Sequence, residues 1–577
     1  MADNFKVHPF KRFIDLLQPE KSFVFTIYIY AVFAGLIRLS LPLGIQAIIN
    51  LIMGGQVSTS WIILVFLVIL GIIINGILQV RQLTINEVLQ QKIFTRASFE
   101  FAYRIPRFKI DQVKHSYLPE LINRFFDTMS VQKGLSKILI DFSTSFFQII
   151  FALILVSFYH PFFIIFSFFL ILLIFLIVRL TGPKGLKTSL QESNYKYETA
   201  HWLEELARNV ESFKMAEDSK LPLEKNDKNT ENYVKARRSH FDVIINQFSL
   251  MIGFKAVVAA GLLLIGGFLV IEQQMNIGQF VAAEIIVILV INSVEKMIFT
   301  IESIYDVLTA VEKIAVVTDK PLEEFLSGSH SLIKSDGMAV KLKDINLKEE
   351  DTGHIFLKDV NLDIKGGEKI GIAGTSNAGK SILLQLISGW YNDYKGNIMF
   401  NGTALRDLNI SEVRRNIGDC MSFGGIFQGT IEENIRIGSP LSEMEEIQKA
   451  TQITGLDEFM DGEPLGYQRM LFPGDRTFPK KIKQQILWTR GIIGKKTLIL
   501  WEDIFGMMSQ DNKHKFINYL CRENNKQTVI MVSNDMRILE KCDRVIGMEN
   551  GEILYDVPGK GVKNHDWFEK ISLNKNA

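Results

Sequence analysis

Six apolar stretches lie between Phe23 and Thr300, each close to the ~20 residues that a helix needs to cross a bilayer, and they decide how the first half of the chain folds. They run from Phe23 to Asn50, Trp61 to Val80, Ile138 to Tyr159, Pro161 to Leu180, Ser249 to Ile271 and Ile277 to Ile298. A water-soluble core has no room for so many long apolar helices, so a six-span α-helical membrane domain is expected over 23–315, with the lipid bilayer as its first partner. Ahead of it, Phe10, Phe13, Ile14 and Leu17 recur at helical spacing after Pro9, with Lys11, Arg12 and Asp15 on the other side. That pattern predicts an interfacial elbow helix within residues 1–22. No small-residue cleavage site follows a short apolar run, so no signal peptide is expected.

The loops MGGQVSTS and EQQMN and the turn Tyr159-His160-Pro161 contain no Lys or Arg, whereas the segments after the second and fourth spans are rich in both. The basic side faces the cytoplasm, which places both termini there. The two basic segments, roughly 81–137 and 181–248, read as helical stalks; a 25-residue helix reaches ~37 Å beyond a membrane. Charges within the spans are few. Glu284 lies roughly 12 Å into the last span, where a carboxylate faces a cavity or a protein partner, not lipid. Arg38, four residues before an expected kink at Pro42, pairs within the bundle or snorkels outward. Lys255 and Asp141, near the cytoplasmic ends of their spans, are expected to reach the interface.

Lys+Arg 64 against Asp+Glu 63 leaves a net charge of +1, so no basic excess points to nucleic acid. The cysteines, Cys420, Cys521 and Cys542, lack paired spacings for zinc or a disulfide framework, and Cys420 reads as a packed small residue. After a linker at 316–338 the composition becomes that of a soluble α/β domain over 339–577, with strand-like runs alternating with helical ones. Within it Lys369-Ile-Gly-Ile-Ala leads into Gly374, Thr375, Ser376, Asn377, Ala378, Gly379, Lys380 and Ser381, and an apolar helix follows. Strand, G-x-x-x-x-G-K-S and helix is the context of a phosphate-binding loop. Its N–H groups would surround the β- and γ-phosphates of ATP or GTP, Lys380 would add a cation, and Ser381 would hold Mg2+. Asn377 enters φ > 0 at low cost, which suits the turn.

Six spans, two stalks and this loop together resemble a half-transporter of the ATP-binding-cassette (ABC) exporter family over nearly the whole chain. Leu41-Pro-Leu-Gly-Ile-Gln-Ala-Ile-Ile-Asn50 and His201-Trp-Leu-Glu-Glu-Leu206 are most similar to the haemolysin-exporter group of bacterial type I secretion, here without the peptidase-like N-terminal domain often found there. The resemblance implies a P-loop nucleotide domain using ATP and Mg2+, with coupling helices at 108–117 and 203–216. It also places the remaining motifs, and most are altered. The Q-loop position is Ser422, too short to reach Mg2+ and the attacking water. The signature position is Phe478-Pro-Lys-Lys-Ile482, where Lys480 and Lys481 replace two glycines; the lysines could attract phosphate as point charges, but the residues alone read rather as an exposed basic turn, since a charge run is usually a solvated face. The buried strand Leu498-Ile-Leu-Trp501 ends in Glu502-Asp503, the reverse of the family order. Glu502 would then serve the Mg2+ shell and Asp503 would be the catalytic base, one methylene shorter than Glu and ~1 to 1.5 Å farther from water, a displacement that costs ~100-fold. The switch histidine is replaced by Asn534, which hydrogen-bonds but carries no charge. The adenine-stacking position falls near Glu349, with His354 and Phe356 close by, and the D-loop position at Ser509.

Two functions follow. One is an exporter subunit of the bacterial inner membrane that couples ATP binding, and slow or partner-dependent hydrolysis, to substrate export. The other is a non-hydrolysing or nucleotide-sensing subunit of a heteromeric transporter. The implied partners are a second half-transporter, as a homodimer or a heterodimer, and a periplasmic adaptor of the membrane-fusion kind.

Overall fold

A computed structural model describes residues 9–54, 59–110, 113, 117–216, 218–323, 331–333, 335–349, 353–421, 425–472, 478–503 and 510–573. It divides into two compact units, one of residues 1–108 with 112–322 and one of 109–111 with 323–577.

The first unit is helical, and among its described residues are six helices long and apolar enough to cross a membrane. The elbow helix Pro9–Leu17 is present. Its polar side is tied down by Arg12, which bonds Glu312 at 3.2 Å and Asp319 at 2.6 Å near the end of the last span. The first span is broken into Lys21–Arg38 and Ser40–Met53. The break follows from Pro42: the ring lacks an N–H and collides with the carbonyl four residues back, which belongs to Arg38. The later spans continue without interruption into the stalks, as Thr59–Arg104, Pro161–Arg208, Leu221–Ile271 and Ile277–Thr318. The third span enters through a π turn over Lys137–Phe142.

The last span buries side chains along its whole length, from Gly278 to Val317, and is the central post of the unit. Its neighbours approach closely enough to need glycine: a Cβ on Gly185 would meet the Tyr305 ring at 2.4 Å. Beside that crossing, Gln247 donates to the Tyr305 hydroxyl at 2.8 Å and to Thr181 at 2.9 Å, joining the fourth, fifth and sixth spans by a polar seam. Ser189 and Thr309 extend it at 2.9 Å.

Intramembrane charges are placed mostly within the protein. Arg38 donates to Gln148 at 2.6 Å, which settles its alternatives in favour of the bundle. Lys255 pairs with Glu295 at 2.7 Å and Asp141 with Lys296 at 2.7 Å, so these two do not simply extend to the interface; each finds its counter-charge on the last span. Glu284 is exposed on the face away from Ala282, Ala283, Ile286 and Val287.

The second unit is built on a six-stranded sheet in the order Glu552–Pro558, Arg544–Glu549, Lys369–Gly374, Thr528–Val532, Leu498–Glu502, Ile417–Cys420. All neighbours are parallel except the first pair. Near-continuous apolar runs such as Thr528–Val532, buried at every position, mark strands covered on both faces. An antiparallel sheet of Ile355–Ile364, Val340–Lys348, Lys395–Phe400 and Thr403–Ala404 forms a second layer. On the other side the helix Lys480–Ile492 brings Trp488 against Trp501, and Trp488 stacks on Phe516 with centroids 4.6 Å apart. In a parallel sheet the carboxyl ends of neighbouring strands lie side by side. Gly374, Glu502 and Ser533 are thereby brought to one edge, although up to 159 residues separate them in the chain.

Candidate nucleotide site

Every residue of Lys369–Gly374 is buried, and the chain leaves the sheet at Gly374 to turn back into the helix Lys380–Ile387. The turn requires left-handed backbone at Asn377, φ +63°, and at Gly379, φ +90°. Asn enters that region at small cost, as anticipated, and Gly at none. A Cβ on Gly379 would also meet the Phe356 carbonyl at 2.8 Å, so the loop closes only with glycine there. The result is a concave run of N–H groups at a helix N-terminus, the arrangement that receives phosphate.

Lys380 turns its ammonium onto the loop itself, donating to the carbonyls of Gly374 at 2.9 Å and Thr375 at 2.6 Å. Burial holds its pKa below the ordinary lysine value, and the charge of Glu502 partly offsets that. An ammonium penalised by desolvation gains from an anion brought beside it, which suits a phosphate. The Ser381 hydroxyl donates to Glu502 Oε1, so the two side chains proposed to hold Mg2+ are in contact across the loop and the strand end. A hydroxyl and a carboxylate are the hard oxygen donors that Mg2+ takes.

Asn534, at the switch position, joins the loop by both amide atoms: its Oδ1 accepts from the Gly374 N–H at 3.0 Å and its Nδ2 donates to the Gly374 carbonyl at 3.0 Å. Asp503 behaves differently. Its Oδ2 accepts from Lys513 Nζ at 2.7 Å and from the Ser533 hydroxyl at 2.7 Å. No motif marks Lys513, which lies on the helix Gln510–Leu520, or Ser533; Asp503 follows a strand and Lys513 sits on a helix, so no single period relates them.

At the signature position Phe478 is buried, edge-on to Phe459 with centroids 5.8 Å apart, and Pro479 starts the helix Lys480–Ile492. Lys480 is exposed and Lys481 lies 3.8 Å from Glu458. Two cations thus sit at the positive end of a helix dipole, where they can attract phosphate as point charges but cannot offer the close backbone approach that glycines allow. The Cys420 thiol is fully buried and burial pushes its pKa well up, in keeping with a packing role. The Glu349 N–H donates to the His354 carbonyl at 2.8 Å, and the His354 ring lies edge-on to Phe356. Ser422 and Ser509 lie outside the described residues.

Comparison with known proteins agrees with this geometry. The family description "ABC transporter transmembrane region" matches residues 24–294 and "ABC transporter" matches residues 357–474. The exotoxin translocation ATP-binding protein PaxB of Pasteurella aerogenes is 27% identical over 329 residues, covering 57% of this chain and 46% of that protein. The leukotoxin translocation ATP-binding protein LktB of Mannheimia glucosida is 26% identical over 310 residues, covering 54% of this chain and 43% of that one. The alignments with these curated relatives thus span less than half of their length. The solved structure of a bacterial Atm1-family ABC exporter with ATP bound shares the fold, with a TM-score of 0.84 at 13% identity over 96% of this chain and 98% of that one. With the two family regions in order along one chain and together covering more than half of it, this protein belongs to the ABC transporter family and combines six membrane-spanning helices with a C-terminal ATP-binding domain.

Proposed function

We propose that the chain is a half-transporter of the bacterial inner membrane that binds Mg-ATP at residues 374–381 and couples binding, with slow or partner-dependent hydrolysis, to export of a substrate. The single observation that carries the reading is the loop itself: Gly374 at a sheet edge, left-handed turns at Asn377 and Gly379, and Lys380 and Ser381 opening the helix. Ser381 and Glu502 are the residues that would hold Mg2+. When bound, the metal would shield the charge of the β- and γ-phosphates. Slow turnover is supported by the altered positions: Asp503 is engaged by Lys513, Asn534 by Gly374, and the signature glycines are lysines.

In this family each composite site takes its phosphate loop from one chain and its signature from the other, so a second half-transporter belongs to the proposal, with a periplasmic adaptor of the membrane-fusion kind as a further partner. The relatives named for exotoxin and leukotoxin translocation support a cargo of that class. A second reading, a non-hydrolysing subunit of a heteromeric transporter, is favoured by Lys480 and Lys481 at the signature position.

The test is Mg-ATP binding and turnover of the purified chain in lipid nanodiscs, with Lys380→Ala as the blank. Binding lost in the blank and slow turnover above it in the parent are expected. Unchanged binding in Lys380→Ala would remove the assignment of the loop. Binding without turnover would select the second reading.

A further inference from the structure

Hydrolysis of ATP joins a water oxygen to the γ-phosphorus, breaks that atom's bond to the bridging oxygen of ADP, and sends a water proton to a base. The base needs a lone pair within hydrogen-bond reach of that water. Glu502 at the strand end is committed to the Ser381 hydroxyl, on the side where Mg2+ would sit. Asp503, the next residue, is a second carboxylate at this edge.

Three interactions hold Asp503 in the domain interior. Its backbone N–H donates to the Val532 carbonyl at 2.8 Å, fixing the residue against the neighbouring strand. The Ser533 hydroxyl and the Lys513 ammonium both point at Oδ2. The ion pair is dry: the side chains of Lys513 and Asp503 are only 10% and 6% exposed. Lys513 Nζ also lies 4.0 Å from Asp535, whose side chain is 12% exposed. One ammonium therefore separates two carboxylates that would otherwise repel each other. In a site of low dielectric such a pair is not broken casually, because removing one member leaves a buried charge uncompensated.

We propose that Lys513 is a positioning residue for the hydrolytic step: it keeps the Asp503 carboxylate on an internal cation and away from the attacking water, so that turnover is slowed while nucleotide binding is spared. The inference rests on the reading of 374–381 as the nucleotide loop. It adds a cause within this chain for slow turnover, distinct from the lysines at the signature position. Removing the ammonium leaves Asp503 and Asp535 without the cation between them, while Arg537 stays bonded to Asp535 at 2.8 Å. Repulsion then drives Asp503 outward, where a carboxylate can accept a proton from water.

The experiment compares the full-length parent with Lys513→Met, Lys513→Gln and Lys513→Met/Asp503→Asn in nanodiscs, measuring Mg-ATP binding, kcat and KM. Lys513→Gln keeps a donor near Asp503 if loss of the cation costs the fold. A general base contributes typically ~100-fold or more, of which a short, imperfectly placed Asp recovers part, so a rise of about tenfold in kcat is expected for Lys513→Met. KM should not change, and the gain should vanish in the double variant. A purely structural ion pair would lower the melting temperature and leave kcat flat or reduced. A flat kcat in a Lys513 variant that binds Mg-ATP as the parent does overturns the proposal. Absence of binding in the parent itself overturns the nucleotide reading instead.

Discussion

Asn534 and Gly374 hold each other in both directions, donor to acceptor and acceptor to donor, each at 3.0 Å. The arrangement fixes which way the amide faces, since only one orientation puts Oδ1 on the Gly374 N–H and Nδ2 on its carbonyl. Asn534 therefore supports the phosphate loop from the neighbouring strand. Asn534→Ala should cost about 1 to 3 kcal/mol, two hydrogen bonds of ordinary net value. Thermal melting and a nucleotide titration check this: a lower melting temperature together with weaker Mg-ATP binding is expected. Weaker binding at an unchanged melting temperature would mean that Asn534 acts on the nucleotide alone.

Restoring the family order with Glu502→Asp/Asp503→Glu lengthens the side chain at 503 by one methylene, but Lys513 still faces it. The exchange alone should raise turnover only slightly. Combined with Lys513→Met, it should raise turnover by more than the product of the separate effects, because the side chains touch and their contributions couple. A double-mutant cycle on kcat measures this directly, and strict additivity would separate the two positions.

Within the membrane domain, Gln148 is buried and accepts from Arg38 at 2.6 Å. Gln148→Leu removes that acceptor and leaves a guanidinium proton in the bundle without it. A loss of about 1 to 3 kcal/mol is expected, read as a lower melting temperature in detergent. Unchanged stability would show that Arg38 finds another acceptor.

Asp535 caps the helix Met536–Leu539 through the Arg537 N–H at 3.0 Å. Burial alone would raise its pKa, but the Arg537 side chain and N–H outweigh that and hold the carboxylate below its ordinary value. A depressed folded value means stabilisation that is complete above the unfolded pKa, about 3.9, and is lost as pH falls through the lower folded one. Asp535→Ala should therefore cost about 1 kcal/mol at neutral pH. Melting temperatures of parent and variant should converge in acid; a gap independent of pH would assign the effect to packing.

The spans were legible because burial in lipid leaves a one-dimensional mark, an apolar run of fixed length that no other environment demands. The phosphate loop was legible for a similar reason: Gly374, Gly379, Lys380 and Ser381 act within eight consecutive residues. What the sequence hid are the pairs far apart along the chain. Arg38 meets Gln148 across 110 residues, Gly374 meets Asn534 across 160, and Lys255 meets Glu295 across 40. These partners follow from which helices cross and which strands lie side by side, and hydrophobic period is blind to both. Lys513 was missed although it is close in sequence, because Asp503 follows a strand and Lys513 lies on the helix Gln510–Leu520, so no single regular spacing relates them.

The seam of Thr181, Gln247 and Tyr305, with Gly185 pressed under the Tyr305 ring, also bears on mechanics. The helices it fastens are 48, 51 and 42 residues long, and at ~1.5 Å per residue each is a beam of ~63 to 77 Å. Clamped near the middle of the first two helices and about two thirds of the way along Ile277–Thr318, such beams cannot slide past one another without tearing the clamp. They tilt together, and each degree of tilt at the clamp sweeps a tip ~35 Å away through ~0.6 Å. The seam is thus a fulcrum, and a small rotation there is magnified at both ends of the three helices.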